Sequence, residues 1–600
     1  MSRTDGRVVS ARGLLAVFTA AGLIDAPDVH VSSMLARTGG EKDQRVVLAA
    51  ALAVRALRAG SVCLPLSQVH RLAADFAHRD DDTGREQTDL DALPWPTTDD
   101  WTQALRDSPL VADEAAPANS HPLRLVDGAV YLERYWCDQE TIAERLLDRC
   151  GPADDVDEAV LAASLDRLFS EDPREADQRR ATQTAVRART TVIAGGPGTG
   201  KTTTVARLVA AVSDQFSRTH RRLRIGLAAP TGKAAARLGE ALESARLSPE
   251  LGAEAIRAVT LHRLLGARPE QAPRHGSANP LPVDLVVVDE MSMVPLTLMA
   301  RLLEALSPRT RLVMVGDPDQ LTPVDAGAVL ADITAAPLPG PDPWGGAVVE
   351  LQHGFRFDSG IAALARDVRA GDVDTVLATV RADPAVDFVP CDPATLDLSA
   401  LPALRSTLAE QAHAIHDAAV RGDADAASRA LDSHRLLCAH RTGPYGVARW
   451  SALAEQVQHL TTPGSQREDW YVGRPLIATV NVAELGLANG DTGIVVNSPQ
   501  GLRAAMSNGR SYPPFLLDGV ETMFALTVHK SQGSQFDALT LVLPAPDSPL
   551  LTRELIYTAI TRARHSVRII GPEESLAVAV RTPARRASGL TERLCARLAG

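Results

Sequence analysis

Residues 191–202 read Thr-Val-Ile-Ala-Gly-Gly-Pro-Gly-Thr-Gly-Lys-Thr, a short apolar run followed by a loop that fits the pattern GxxxxGK[ST]. A helical stretch comes next, so the loop lies between a strand and a helix. Glycines in such a loop allow backbone N–H groups to turn inward around phosphates, and the helix that follows presents its positive end to them. The stretch therefore predicts an α/β fold that binds the phosphates of a nucleotide.

Each residue type in this loop has a physical reason to be there. Lys201 has a long cationic side chain that would reach the β- and γ-phosphates, and the Thr202 hydroxyl would hold Mg²⁺. The residues expected to bind the nucleotide are Gly195, Gly196, Pro197, Gly198, Thr199, Gly200, Lys201, Thr202 and Thr203.

Two further segments supply polar groups at the ends of predicted strands. Leu285–Val288 is an apolar run that ends in Asp289 and Glu290. About 90 residues after a phosphate loop, such a pair predicts an Mg²⁺ carboxylate (Asp289) and a base that polarises the attacking water (Glu290). After the next predicted strand, Gln320 follows Val315-Gly-Asp-Pro-Asp and is placed to sense the γ-phosphate. A solvated strand end is the alternative for an isolated Asp-Glu pair, and a turn amide is the alternative for Gln320.

The wider pattern of apolar runs predicts two α/β units. Short apolar runs alternate with helical stretches, which is typical of a parallel sheet with helices on both faces. The predicted strands of the first unit are Thr191–Ala194, Leu223–Ala229, Leu285–Val288 and Arg311–Val315, and those of the second are Arg435–Ala439, Phe524–Val528, Leu539–Pro544 and Val567–Ile570. A Pro/Gly-rich segment, Ala336–Gly346, separates the units. Trp470–Glu521 is Gly- and Asn-punctuated with short strand-like runs, which predicts a small β-barrel insert.

Composition narrows the class of protein. The chain has 600 residues with a net charge of −12, which argues against a strongly basic nucleic-acid binder but leaves room for a local basic groove. The six cysteines form no CxxC pair or Cys/His cluster, so we expect reduced thiols in a cytoplasmic protein without a structural zinc site. No run of about 18 apolar residues occurs, and we therefore expect no membrane span.

Lysine is unusually rare. The chain has four lysines, Lys42, Lys201, Lys233 and Lys530, and the other 58 of the 62 basic residues are arginine. Lys201 belongs to the phosphate loop, and Lys233 and Lys530 lie in the polar segments Pro-Thr-Gly-Lys-Ala and Thr-Val-His-Lys-Ser-Gln-Gly. A chain that otherwise prefers arginine would keep lysine where a compact ammonium is required, so these three positions are functional candidates.

Taken together, several segments resemble, in order and spacing, the motif series of superfamily 1 DNA helicases. In detail they are similar to the RecD family, which provides the alpha subunit of exodeoxyribonuclease V (RecBCD). The segments are Gly195–Thr202, Pro230–Ala234, Thr260–His262, Asp289–Ser292, Gly316–Gln320, Thr527–Gly533 and Tyr557–Arg562, with Val62–Leu66, Arg441–Gly446 and Gly486–Asp491 as additional similarities. The likeness runs through most of the chain.

The resemblance implies roles for further residues. Gln178, which lies 17 residues before Gly195, matches the glutamine that reads adenine. Lys201, Glu290 and Gln320 match catalytic positions, and Arg356 and Arg562 match arginines that neutralise transition-state charge across a cleft between domains. The positions that match contacts to single-stranded DNA are Pro230, Thr231, Gly232, Lys233, Thr260, His262, Thr527, His529 and Gln532.

The resemblance also implies an architecture. The fold class is α/β, with two RecA-like P-loop motor domains, a helical N-terminal domain and an SH3-like β-barrel insert. The expected divisions are an N-terminal partner-docking domain (1–110), a helical connector (111–165), motor domain 1 (166–346, with a strand-splitting hairpin at 266–284), motor domain 2 (347–575, with the insert at 470–521) and a tail (576–600). The implied partners are single-stranded DNA, duplex ends, and RecB- and RecC-like subunits, and the implied direction of movement is 5′→3′.

The enzyme of this family also digests DNA, which raises the question of where its nuclease lies. Restriction-type metal nucleases need an acidic residue or Gln two positions before a Lys. The residues two positions before the four lysines are Gly40, Thr199, Thr231 and Val528. We therefore predict that this chain has no nuclease centre of its own.

Three alternatives remain open at this level. A stand-alone 5′→3′ helicase would unwind DNA without partners, and a regulatory subunit would bind ATP and DNA without moving. A kinase or GTPase could use the same phosphate loop. The presence of Lys201, Glu290 and Arg562 argues against the regulatory subunit, and the Thr527–Gly533 segment argues against the kinase or GTPase.

Overall fold

The computed structural model describes residues 11–79, 89–153, 156–217, 222–244, 257–268, 271–336, 348–354, 359–462, 469–482 and 484–599. Its sheets are one small N-terminal sheet, two parallel sheets and one small antiparallel sheet in the described chain. None of the helices in these ranges is both long enough and apolar enough to cross a membrane.

The N-terminal region is helical but also carries a four-stranded sheet of order β1-β4-β3-β2. Its elements are α1 (Leu14–Ala20), α2 (Ala26–Gly39), α3 (Gln44–Arg58), β1 (Cys63–Pro65), α4 (Val69–Arg79), α5 (Thr98–Arg106), β2 (Val111–Ala112), β3 (Leu123–Val126), β4 (Ala129–Leu132), α6 (Glu133–Asp148) and α7 (Glu158–Leu168). Helix α3 begins where the Asp43 side chain accepts a hydrogen bond from the Arg45 N–H, and its Ala- and Leu-rich face is buried.

The predicted boundary at residue 110 divides this sheet. Cys63–Pro65 of β1 pairs antiparallel with Ala129–Tyr131 of β4, so strands on both sides of residue 110 share hydrogen bonds. The description of 111–165 as a helical connector is therefore incomplete, because strands β2, β3 and β4 lie within it. Those strands have only two to four residues each, too short for a clear alternating pattern in the sequence.

The first motor domain has a six-stranded parallel sheet of order β10-β5-β9-β8-β6-β7. Its elements are α8 (Ala176–Arg187), β5 (Thr190–Gly195), α9 (Lys201–Ser217), β6 (Ile225–Ala229), α10 (Gly232–Ser244), β7 (Ala258–Thr260), α11 (Leu261–Leu264), β8 (Leu285–Val288), α12 (Leu296–Ala305), β9 (Arg311–Gly316), α13 (Val329–Ala335) and β10 (Val348–Leu351). The central strands β5, β8 and β9 are buried along their whole length, which explains their continuous apolar runs.

Strand β10 corrects the predicted boundary between the motor domains. It pairs parallel with β5, from Val348 opposite Val192 to Leu351 opposite Gly195, and so belongs to the first sheet. The boundary at residue 346 therefore lies one strand too early, and the chain passes to the second motor domain after Leu351. The Pro/Gly-rich segment marked the approach to an edge strand of the first sheet.

The second motor domain has a five-stranded parallel sheet of order β11-β20-β19-β12-β18. Its elements are α14 (Ser359–Ala370), α15 (Val373–Ala382), β11 (Val386–Val389), α16 (Pro402–Val420), α17 (Ala424–Asp432), β12 (His434–Cys438) and α18 (Val447–Thr461), then the insert strands β13 (Pro475–Ala478), β14 (Thr492–Ser498), β15 (Gly501–Met506), β16 (Ser511–Tyr512) and β17 (Val520–Thr522), and finally β18 (Ala525–Thr527), β19 (Phe536–Val542), α19 (Arg553–Ile560), β20 (Ala563–Ile570) and α20 (Glu573–Arg581).

The insert is an antiparallel sheet of order β16-β15-β14-β13-β17 with a small apolar core of its own. Leu476, Val495 and Ala504 are fully buried in that core. The five strands lie between α18 and β18 and so interrupt the chain between two strands of the second parallel sheet.

The predicted tail has two parts. Helix α20 packs into the core of the second motor domain through Leu576, Ala579 and Val580, so the expected start of a tail at residue 576 divides a helix. The remainder ends in α21 (Leu590–Ala599), whose Leu590 and Leu594 are fully buried in the core shared by the N-terminal region and the first motor domain. The C-terminal segment thus returns to the first half of the molecule.

Candidate nucleotide site between the motor domains

The phosphate loop connects β5 to α9 at the carboxyl end of the first sheet. Gly198 and Gly200 have φ angles of 78° and 82°, which glycine adopts without the strain that a Cβ would bring. The Lys201 ammonium donates to the carbonyl oxygens of Gly195 and Gly196 at 2.6 and 2.9 Å. The ammonium is thus held over the loop, where phosphates would replace those carbonyls.

Gln178 contacts this loop from α8. Its Nε2 donates to the Thr199 carbonyl at 3.1 Å, and its Oε1 accepts from Arg207 Nη1 at 3.0 Å. The Thr199 hydroxyl in turn donates to the Gly196 carbonyl at 2.8 Å. The structure therefore places Gln178 against the phosphate loop.

The acidic pair lies at the end of β8, in the same edge of the sheet. Burial and the charge of Glu290 together raise the pKa of Asp289 to about 6, although the Glu290 N–H and the charge of Lys201 oppose the rise. Because the charge of Lys201 acts on this carboxyl group, the two groups lie near each other.

Glu290 has an unusual backbone. Its φ of 53° and ψ of 44° lie in the left-handed region, which a glutamate adopts at a cost. The other two non-glycine residues with positive φ in the described chain are Asn119 and Asp127, whose short polar side chains tolerate that region better. Backbone strain of this kind concentrates at functional sites.

The loop after β9 carries Gln320. Its Nε2 donates to Asp317 Oδ2 at 2.9 Å, and its Oε1 accepts from Arg562 Nη2 at 2.6 Å. Arg562 follows α19 of the second motor domain, so this hydrogen bond crosses the boundary between the domains. All three side chains are buried.

More contacts join the two domains around the same loop. The Leu321 N–H donates to the Thr558 hydroxyl at 2.8 Å, and Gln532 Nε2 donates to the Leu321 carbonyl at 2.9 Å. Arg369 of α14 forms ion pairs with Asp319 at 2.6 Å and with Glu350 at 2.9 Å. The loop that follows β9 is therefore held mainly by the second motor domain.

Arg237 lies near charged residues of both motor domains. Burial lowers the pKa of this α10 arginine, the charge of Arg562 lowers it further, and Asp432 and Glu290 raise it. A guanidinium that responds to both Glu290 and Arg562 has both within electrostatic reach. Glu290 of the first domain and Arg562 of the second are therefore both near Arg237.

One group of residues matched to DNA contacts, Pro230–Lys233, lies where three parts of the molecule meet. Pro230–Lys233 joins β6 to α10, and a Cβ on Gly533 of the second domain would lie 3.9 Å from the Thr231 hydroxyl. A Cβ on Gly232 would lie 3.8 Å from Ala488 of the insert. The first motor domain, the second motor domain and the insert thus meet at the Pro-Thr-Gly-Lys segment.

The other residues expected to contact DNA lie in several different environments. Thr260 caps α11 by accepting from the Arg263 N–H, and His262 is exposed on that helix. Thr527 ends β18, and His529 follows it in the next short turn. Gln532 is buried and donates to Leu321, so the structure places it in the contact between the domains.

Lys233 lies in a different environment from a surface lysine. Burial lowers its pKa to about 8, partly offset by the charges of Asp432 and Asp491 from the second domain and the insert. Lys233 therefore lies near charged residues of the second domain and of the insert.

Two expected features are only partly described. Arg356 lies outside the described residues, as do 269 and 270 within the predicted strand-splitting hairpin. The described part of 266–284 contains isolated antiparallel bridges between Arg268 and Gln271 and between Gly276 and Asn279. No group of three or more His, Cys, Asp or Glu side chains able to enclose a metal ion occurs in the described ranges.

Sequence reasoning assigned no role to Asp317, Tyr557, Arg237 or Arg369. Asp317 and Tyr557 lie inside the helicase-like segments, next to residues that were given roles, and their positions in those segments were the available signal. Arg237 and Arg369 are two of 58 arginines, and nothing in the local sequence distinguishes them.

The two parallel sheets, the phosphate loop, and the arginine and glutamine that meet across the cleft define a two-domain P-loop motor of the superfamily 1 helicase class. Family models match at three places: residues 178–326 fit an AAA domain, 20–131 fit the N-terminal domain of RecBCD enzyme subunit RecD, and 522–570 fit a UvrD-like helicase C-terminal domain. The chain belongs to the RecD family.

The relatives support this assignment over nearly the full length. RecBCD enzyme subunit RecD of Mycobacterium tuberculosis is 46% identical, with 98% of this chain and 97% of the relative covered. RecBCD enzyme subunit RecD of Mycolicibacterium smegmatis is 44% identical, with 96% and 98% covered. The ATP-dependent RecD2 DNA helicase of Deinococcus radiodurans is 30% identical, with 81% of this chain but 61% of the relative covered.

Proposed function

We propose that this chain is an ATP-dependent 5′→3′ DNA helicase subunit of a RecBCD-type helicase–nuclease, which acts at duplex ends in recombinational repair. The observation that carries the proposal is the hydrogen bond between Gln320 and Arg562 of two motor domains, beside Asp317, whose carboxyl group lies near the charge of Lys201. A site completed by both domains links each hydrolysis event to opening and closing of the cleft, and repeated closure along a strand produces movement.

The groups available for hydrolysis have separate tasks. Lys201 binds the β- and γ-phosphates, Glu290 orients and deprotonates the attacking water, and Gln320 positions the γ-phosphate. Arg562 and Arg356 supply positive charge to the transferring phosphoryl group. Gly195–Gly200 and Thr203 bind the phosphates through the loop and the start of α9, and Gln178 contacts the adenine.

The residues present fit Mg²⁺. The Thr202 hydroxyl and the Asp289 carboxylate are hard oxygen donors, and Mg²⁺ in nucleotide sites takes one or two such protein ligands with phosphates and water completing its shell. When bound, Mg²⁺ would neutralise charge between the β- and γ-phosphates.

The DNA strand would run where the two motor domains and the insert meet. Pro230–Lys233, Thr260 and His262 line the first domain, and Thr527, His529 and Gln532 come from the second. We assign the five-stranded insert as an SH3-like barrel, supported by its antiparallel order and separate core. Residues 266–284 would provide the strand-splitting hairpin.

Partner subunits would complete the machine. RecB- and RecC-like chains would dock on the N-terminal region, which we extend from residue 110 to about 131 because the family model and the shared sheet continue to that point. The chain is 46% identical to a RecD subunit and 30% identical to the RecD2 helicase, which favours the subunit over a stand-alone enzyme. Its six cysteines are free thiols, and we propose a cytoplasmic location.

The test uses Lys201→Ala. Hydrolysis of ATP stimulated by single-stranded DNA is expected to fall by about three orders of magnitude, because the ammonium stabilises the transferring phosphoryl group. Lys42→Ala, at an exposed lysine of the N-terminal region, is the matched control and should hydrolyse ATP at the normal rate. DNA-stimulated hydrolysis retained in Lys201→Ala would contradict the proposal.

The subunit assignment is tested separately. A tagged chain purified from its native host is expected to bring two large partner chains with it, and the purified chain alone is expected to unwind DNA weakly. Processive unwinding by the isolated chain, without co-purifying partners, would instead establish the stand-alone helicase.

A further inference from the structure

The hydroxyl of Tyr557 reaches from the second motor domain into the nucleotide site of the first. It donates to Asp317 Oδ2 at 3.0 Å. A Cβ added to Gly196 would lie 3.1 Å from this hydroxyl oxygen, which is tighter than an ordinary van der Waals contact. Glycine at position 196 thus leaves room for the hydroxyl beside the phosphate loop. The side chain thus contacts both the phosphate loop and the loop that carries Gln320.

Asp317 is the centre of the hydrogen bonds at this point. Its carboxylate accepts from Tyr557, from Gln320 Nε2 at 2.9 Å and from the Asp319 N–H at 3.1 Å. The residue is 1% exposed, and burial raises the pKa of its carboxyl group while the charge of Lys201 lowers it. A buried carboxylate requires several donors, so the loss of any one leaves it poorly compensated.

These contacts determine which way the Gln320 amide points. A carboxylate only accepts hydrogen bonds and a guanidinium only donates them. Gln320 therefore turns Nε2 to Asp317 and Oε1 to Arg562, and the reverse orientation would oppose like groups at both ends. The orientation of Gln320 thus depends on where the Asp317 carboxylate is held.

We propose that Tyr557 is a positioning residue for ATP hydrolysis, whose hydroxyl holds Asp317, and through it Gln320, in place against the phosphate loop only when the two motor domains are together. This inference rests on the proposed ATPase function and assigns a part of the machinery beyond Arg562. Arg562 reaches Gln320 from one side, and Tyr557 supports it from the other through Asp317.

The hydroxyl is suited to this task because it stays protonated. Burial raises the pKa of Tyr557 well above its ordinary value, and the charges of Asp317 and Asp319 act in the same direction. The group is therefore a hydrogen-bond donor to Asp317 at neutral pH. Tyr557 and Arg562 also lie five residues apart around the end of α19, so one helix delivers both contacts.

Tyr557→Phe tests the proposal, because it removes the hydroxyl and keeps the ring. The kcat of DNA-stimulated ATP hydrolysis is expected to fall about tenfold, the loss typical of one hydrogen bond to a charged group in a catalytic site. The KM for ATP should change less than about twofold, because Lys201 and the loop still bind the phosphates. Tyr471→Phe is the matched control, since its buried hydroxyl donates to Glu455 at 3.0 Å outside the nucleotide site.

A second variant shows whether Tyr557 acts through Asp317. Asp317→Asn should lower kcat, and adding Tyr557→Phe to it should lower kcat by less than about twofold more, since both changes interrupt one path. Full multiplication of the two effects would overturn the path through Asp317. Equal losses in Tyr557→Phe and Tyr471→Phe, in parallel with lower unfolding midpoints, would show a merely structural role.

The result is separable from the proposed function. Normal kcat in Tyr557→Phe, with hydrolysis abolished in Lys201→Ala, would overturn the role of Tyr557 and leave the ATPase standing. Absence of DNA-stimulated hydrolysis in the unmodified chain together with its partners would overturn the proposed function and this inference with it.

Discussion

Arg562 Nη2 and Gln320 Oε1 are 2.6 Å apart, although 242 residues separate them in the sequence. The two side chains belong to different motor domains, and both are buried. The cleft is therefore joined, in this conformation, by a hydrogen bond between two groups that we also assign to the γ-phosphate. A bound nucleotide would bring its γ-phosphate close to both Gln320 and Arg562.

Arg562→Ala and Gln320→Ala should each lower DNA-stimulated hydrolysis by about a hundredfold, because each removes a group aimed at developing charge. The double variant should lose much less than the product of the two factors, since the side chains act as a unit. Steady-state ATPase rates for the four proteins give the coupling. Arg568→Ala, which breaks only the ion pair with Asp387 within the second domain, is the control; independent effects of Arg562 and Gln320 would contradict the coupling.

The left-handed backbone conformation of Glu290 should lower the stability of the folded protein. Asn tolerates the left-handed backbone better than Glu or Gln, so Glu290→Asn should be more stable than Glu290→Gln by about 1 kcal/mol. Both variants should lose hydrolysis, because neither side chain can accept the proton from water. Urea unfolding and ATPase assays on the pair measure the two effects. Equal stabilities would show that the φ of 53° carries no cost.

His434 should make the protein less stable in mild acid. Burial lowers its pKa to about 3, and the charges of Arg435 and Arg568 act in the same direction, whereas the unfolded chain binds a proton near pH 6.5. Below about pH 6.5 the unfolded state therefore gains a proton that the folded state refuses, and stability falls by up to about 1.4 kcal/mol per pH unit.

Urea unfolding at about pH 7 and about pH 5.5 measures this effect, with His434→Gln as the comparison. The Gln amide is long enough to bond to the Thr540 hydroxyl, the 2.9 Å partner of His434 Nε2, but does not titrate. The unmodified chain should lose about 1 kcal/mol more than the variant between the two conditions. The same loss in both proteins would remove His434 as the cause.

Leu594 of α21 should matter for stability despite lying six residues from the C-terminus. It is fully buried, so Leu594→Ala should lower the free energy of unfolding by about 2–5 kcal/mol. Leu460→Ala, at a side chain that is 72% exposed, should change it by less than about 0.5 kcal/mol. Denaturant unfolding compares the two, and similar small effects would mean that α21 is not docked in solution.

Local chemistry explains which parts of the fold the sequence could predict. The strand Leu285–Val288 was predicted at its observed bounds, because four buried apolar residues end at two carboxylates. Strand β10 was assigned to the wrong domain, since Val348–Leu351 has no local feature that shows which sheet it joins. Strand β1 of the N-terminal region takes its hydrogen bonds from β4, a partner far along the chain that no local pattern reveals.

In the candidate site too, the sequence predicts the residues that local chemistry requires but not the contacts between the domains. Lys201, Glu290 and Gln320 could be proposed from loop spacing and strand ends, because each chemistry needs a particular group at a particular place. The contacts of Arg369 with Asp319 and of Tyr557 with Asp317 depend on how two domains dock, which no local pattern specifies. Arg562 could be chosen among 58 arginines only through the family resemblance.

The return of the C-terminal segment changes how the motor can move. Arg586 donates to the carbonyl of Asp325 at 2.8 Å, and the Val62 N–H donates to the carbonyl of Ala587 at 2.7 Å, so the end of the chain is fastened to the first half of the molecule. The polypeptide therefore crosses between the halves twice, once after Leu351 and again after Arg581. These two connections restrict how the second motor domain can move relative to the first. Opening and closing of the cleft would therefore be a rocking motion about the two connections.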